Sequence, residues 1–164
     1  MKASQVIETA LNGTQFLTNQ YLSDLSDADL LVRPAPGANH IAWQLGHLIS
    51  SEIGLIRSQL PSAAYPELPS GFPEQYTKET AGQEPPKGFL GKQQYLDLFN
   101  RVREATKATV AKLSDADLDR ATTGNMAQFA PTLAAYLMLV SNHTLMHAGQ
   151  FTVVRRKLGK PVLF

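Results

Sequence analysis

Apolar residues recur along this chain at intervals of three and four, in four separate stretches, and almost nowhere at intervals of two. That period places them on one face of an α-helix. The first stretch predicts a helix over Ala3 to Leu22, with a stripe of Ala3, Ile7, Ala10, Leu17 and Tyr21. A short turn follows (SDADL, with Ser26 as its cap), then the rigid loop RPAPGA. A second helix is expected from Asn39, a favourable N-cap, to just before Pro61. The third spans about Gln93 to Leu113, with Leu96, Phe99, Val102, Thr106, Val110 and Leu113 on one face. The fourth starts near Pro131, carries Arg155, Arg156 and Lys157 in its last turn, and stops at Gly159. No period-two run and no Asn-Gly or Asp-Gly turn signals a strand.

The hexapeptide LSDADL occurs at 25–30 and again at 113–118, each time between a long helix and a loop leading to a histidine-bearing helix. The expected fold is therefore all-α, a four-helix bundle of two helix–loop–helix halves forming one domain over residues 1–164. Between the halves lies a crossover, residues 61–91, with six prolines and four glycines. Its Tyr65, Leu68, Phe72, Tyr76 and Phe89 favour a packed segment over a floppy linker.

The chain's 164 residues, 43% of them hydrophobic and 18% charged, describe a folded protein with a real core. A net charge of +1 argues against a dedicated nucleic-acid binder. The longest apolar run, Leu133 to Val140, is too short to cross a bilayer. No signal peptide is recognisable, so the expected location is the cytoplasm. With no cysteine, any metal must be held by histidine, carboxylate or water.

The last helix supplies His143 and His147, one turn apart on the same face, a spacing that lets two imidazoles grip one ion. His47 on the second helix makes a third. Three imidazoles without an obvious fourth ligand describe a metal site that keeps a position open. The alternative is a pair of core histidines, each with its own hydrogen-bond partner. On the second helix His40 and Trp43 share the stripe of His47, and Gln150 continues the stripe of His143 and His147; these three are read as lining a substrate pocket. Glu52, the second helix's carboxylate, could support a ligand or act as a general base, or it could simply be paired with an N–H donor.

Two segments, IAWQLGHL with His47 and HTLMHAGQFTVVRRKLGKP with His143, His147, Gly149, Gln150 and Gly159, resemble the DinB-like family over nearly the whole chain. That family is also called YfiT-like metal-dependent hydrolases, and is unrelated to the polymerase sharing the DinB name. The resemblance implies a four-helix bundle, a divalent ion (zinc or nickel) on the three histidines, and frequent homodimers. It implies no single reaction: relatives include bacillithiol- or mycothiol-dependent S-transferases, a mycothiol-dependent isomerase, and proteins called hydrolases. Ala148 departs from the family, where many members carry arginine, so substrate specificity does not carry over.

Three functions follow as expectations. In the first, an ion activates a low-molecular-weight thiol cosubstrate for S-transfer to a small-molecule substrate. In the second, the open position holds water for hydrolysis. The third is a non-enzymatic metal-binding stress-response module. A homodimer is also expected, because the second helix is apolar around much of its circumference and needs cover on several sides. The crossover folding over that helix is the competing source of cover.

Overall fold

All four long helices form, and among the described residues three short ones punctuate the connections. The computed structural model describes residues 2–83 and 88–164. Its elements are α1 (Ala3–Leu22), α2 (Asp27–Leu30), α3 (Ile41–Gln59), α4 (Phe72–Gln75), α5 (Lys92–Val110), α6 (Asp115–Leu118) and α7 (Leu133–Lys157). Among the described residues there is no strand, only an isolated antiparallel bridge between Ala121 and Thr132. No helix is long and apolar enough to cross a membrane among those residues. Residues 84–87 of the crossover lie outside the described set.

The repeated hexapeptide has a shared local structure. The Ser26 and Ser114 hydroxyls each accept a hydrogen bond from the backbone N–H of the residue three further on, Asp29 and Asp117, whose carboxylates in turn accept one from the serine backbone N–H. These capping boxes satisfy N–H groups that a helix start would otherwise leave orphaned. The leucine closing each turn, Leu30 or Leu118, is buried.

Hydrogen bonds between helices set their directions. Ala10 and Tyr21 of α1 accept from Ser141 and Arg155 of α7, so those two run parallel. Asn12 meets Lys107 and Asn19 meets Asn100, so α1 and α5 are antiparallel. Gln44 meets His147 and Ser58 meets Tyr136, so α3 opposes α7. It follows that α3 and α5 point the same way. A 19-residue helix is about 28 Å long, and the chain leaving α3 must travel back over that length before α5 can begin. This is why the crossover is long. Helix α1 packs on α7 and α5, and α3 packs on the same two. The two halves therefore interleave, and neither packs its own pair of long helices together.

Several expectations need correction. Helix α3 is capped by His40, not Asn39: the imidazole Nδ1 accepts the Trp43 N–H at 3.1 Å, and the Asn39 carbonyl instead takes the Gln44 side chain. The buried stripe of α1 is Ile7, Leu11, Thr14, Thr18 and Leu22, rotated from the one expected. Two threonines disguise it, since each bonds a carbonyl one turn back and so buries its hydroxyl without an orphaned donor. The cover for α3 comes from the chain itself: Phe72 and Tyr76 join the core around it, with Tyr65, Leu68 and Phe89 packed alongside.

Candidate metal centre

Helices α3 and α7 pass antiparallel with His47 opposite His143 and His147. One ligating nitrogen from each of the three lies within 4.8 Å of the others. Ring centroids are 5.1 Å apart for His47 and His143, 5.4 Å for His47 and His147, and 4.9 Å for the pair on α7. These are the donors, and the spacing, that could hold one metal ion.

The protonation pattern can be read from the neighbours. Gln44 donates its amide N–H to the Asn39 carbonyl at 2.8 Å, which turns its oxygen towards His147 Nδ1, also at 2.8 Å. An amide oxygen only accepts, so Nδ1 carries the proton and Nε2 keeps a lone pair. That Nε2 faces His143 Nε2 at 3.2 Å. Burial pushes the His143 imidazolium pKa down to about 4 and that of His147 to about 3, with the neighbouring imidazoles adding to the push. His47 is lowered too, again chiefly by burial, while a backbone hydrogen bond with Tyr76 partly opposes it. At neutral pH the group is three uncharged imidazoles, the form that binds metal.

His47 is held from two sides. Trp43 stacks on its ring, centroids 4.9 Å apart and planes within 7° of parallel. The crossover reaches it through Tyr76, whose ring lies so close to α3 that a Cβ on Gly46 would sit 2.2 Å from it. Only glycine admits that approach. The Tyr76 hydroxyl is anchored on Tyr95 at 2.6 Å.

Beside the histidines opens a cavity of about 640 Å³, walled by His47, His143, Ser51, Gly54 and Leu55, with Met126, Leu139, Asn142 and Met146 completing it. The donor chemistry fits a divalent ion: neutral nitrogen ligands, one tautomer fixed from outside, and open space on one side.

The family model of the DinB superfamily matches residues 10–151. This chain belongs to the DinB superfamily. Several solved structures share its fold, among them the following two. A conserved protein from Enterococcus faecalis superposes with a TM-score of 0.75 at 19% identity, covering 98% of this chain and 99% of that one. YfiT from Bacillus subtilis, described as a probable metal-dependent hydrolase with an unusual four-helix bundle topology, gives 0.66 at 17% identity, covering 96% and 89%. No curated protein matches the sequence.

The other residues singled out for this DinB-superfamily site lie in different places. His40 is buried at the start of α3, its ring edge-on to Phe89, and it does not line the cavity. Trp43 touches His47, not the cavity, and its indole N–H donates to Thr80. Gln150 is exposed, because the buried face of α7 continues from His147 through Phe151 to Val154. Glu52 is neither in the histidine group nor on the cavity wall. Its carboxylate takes Arg103 Nε and Nη2 and the Thr106 hydroxyl, so the role of base gives way to a buried ion pair. Gln44 was missed by sequence reasoning; a glutamine inside an apolar arc, one turn before His47, was the available signal.

Proposed function

We propose that this protein is a metal-dependent enzyme in which His47, His143 and His147 hold one divalent ion, zinc or nickel, and activate a low-molecular-weight thiol for S-transfer. The observation that carries the reading is the set of three neutral imidazoles, one locked in its tautomer by Gln44, beside an open cavity. When bound, such an ion lowers the pKa of a thiol or water at its open position. Gln44 keeps the proton on Nδ1 of His147, and Trp43 with the Tyr76 backbone holds the ring of His47. The apolar cavity wall excludes water from the second substrate. In the transfer, a carbon–sulfur bond forms as a chloride leaves with its bonding pair or an epoxide C–O bond opens. The thiol proton passes to solvent or to the opened oxygen.

Thiol activation is favoured over water because the nearby carboxylate, Glu52, is engaged with Arg103 and cannot serve as a base. Hydrolysis is the second reading, supported by the description given to YfiT. A non-enzymatic module ranks below both, since an empty space beside ligand atoms suits a reactant. A cytoplasmic homodimer completes the proposal, supported by the exposed Leu145 and Val153 on α7.

The test begins with metal content. Wild type should hold about one zinc or nickel per chain and His143→Ala far less; equal, sub-stoichiometric metal in both sinks the site. Consumption of a chlorinated or epoxide electrophile should then require added thiol. Ester turnover indifferent to thiol would move the assignment to hydrolysis.

A further inference from the structure

The cavity says more about its ligand than the histidines do. Apart from His47 and His143, its wall is Leu55, Leu139, Met126 and Met146, with Ser51, Asn142 and Gly54; among the described residues, no lysine, arginine, aspartate or glutamate lines it. Lys78, whose charge is felt at His47, is not on the wall. Away from the metal position, a carboxylate, phosphate or sulfonate entering this space would lose hydration and meet no cationic side chain in return. Methionine side chains adapt their shape to varied apolar surfaces, and two of them stand at the exposed side.

Gly54 is the second, independent sign. It sits inside α3, where glycine is disfavoured against alanine. Its backbone is not in the left-handed region. A Cβ built on it would meet nothing within 4 Å, so no neighbour requires its absence either. Gly46, one position past two helical turns earlier, has its Cβ space filled by Tyr76; Gly54 has its own left open to the cavity.

We propose that the cavity beside the three histidines binds an uncharged, predominantly apolar small molecule, and that Gly54 keeps the room for it. In the enzymatic reading this molecule is the electrophile, and the thiol approaches from elsewhere; the inference rests on that reading only for the ligand's role, not for its binding. Hydrophobic burial supplies the affinity, and Ser51 and Asn142 orient a single polar group.

Two fluorescent probes that differ by one sulfonate test this: N-phenyl-1-naphthylamine, which is uncharged, and 1-anilinonaphthalene-8-sulfonate. Titrated into purified full-length protein, the amine should bind at least tenfold tighter than the sulfonate. Gly54→Leu should lower amine affinity at least tenfold while its zinc content stays at the wild-type level. Met146→Lys, at an exposed position where folding is not at risk, should shift preference towards the sulfonate. Sulfonate binding as tight as amine binding in wild type would overturn the proposal, as would amine binding by Gly54→Leu equal to wild type. Amine binding that disappears as the protein dimerises at rising concentration would show a second copy filling the cavity, and would overturn it too. Loss of the metal reading alone would appear as absent zinc with the probe ranking intact.

Discussion

Around Arg103 every guanidinium donor has found a partner, whereas around His47 the ligating nitrogens face one another across a space. Both clusters are polar, both take side chains from α3 and α7, and His47 and Glu52 lie only five residues apart. The five N–H donors of Arg103 reach Glu52, the Leu11 carbonyl and the hydroxyls of Thr14 and Thr144. Thr106 completes Glu52. This network joins all four long helices and leaves nothing for a ligand to satisfy. In the histidine group, Nε2 of His147 has only another imidazole nitrogen before it. A closed buried network is what a scaffold needs; unfilled acceptors beside a cavity are what a binding site needs.

The sharpest way to break the contrast is to open the closed network. Arg103→Met leaves the Glu52 carboxylate buried and unpaired, which should cost about 3–5 kcal/mol of stability. Urea unfolding measures it. Pairing the change with Glu52→Leu should recover most of the loss, because the two apolar side chains strand no charge. Zinc per folded chain should be unchanged in the double variant. A double variant as unstable as the single one would show that the network holds the fold through more than its charges.

The histidine group should respond in the opposite way. Gln44→Leu removes the acceptor that fixes His147, so zinc affinity should fall about 10- to 100-fold. Gln44→Glu, which can still accept from Nδ1, should retain most of it. Competition against a chromogenic chelator reads both. Equal losses in the two variants would mean that Gln44 acts by packing alone.

Much of this was legible in the chain. The helices follow from their period, and the histidines follow from the one-turn spacing of His143 and His147 with His47 on a facing helix. Gln44 and Arg103 were hidden for one shared reason. A polar residue on an apolar arc gains its meaning from a partner far away, His147 lying 103 positions from Gln44 and Glu52 lying 51 from Arg103. Thr14 and Thr18 misled in the same way, since a threonine that bonds its own helix reads as surface until the packing is seen. The methionine wall was equally invisible, because Met126 comes from a loop and Met146 from α7.

A smaller effect separates the clusters by pH. His143 and His147 titrate near 4 and 3 when folded, against about 6.5 in the unfolded chain. Below about pH 6.5 the unfolded state therefore binds more protons, so the stability they contribute is complete above that value and declines as the medium is acidified. Metal-free protein should lose stability steadily between pH 7 and 5, and His147→Gln should show a shallower slope. A urea midpoint that is flat over this range would contradict the buried neutral imidazoles.

The smallest effect compares two glycines of α3. At Gly46 a new methyl group would strike the Tyr76 ring at 2.2 Å. Gly46→Ala should therefore push the crossover away from His47 and destabilise by roughly 1–3 kcal/mol, as overpacking does. At Gly54 the methyl group meets nothing, and alanine restricts the unfolded chain while favouring the helix. Gly54→Ala should stabilise by about 0.5–1 kcal/mol. Thermal unfolding of the metal-free variants measures both. A protein that gains stability from alanine at this site has kept glycine there for something other than folding. If Gly54→Ala is instead destabilising, the residue is needed by the backbone, and the space above it loses its claim to be kept for a ligand.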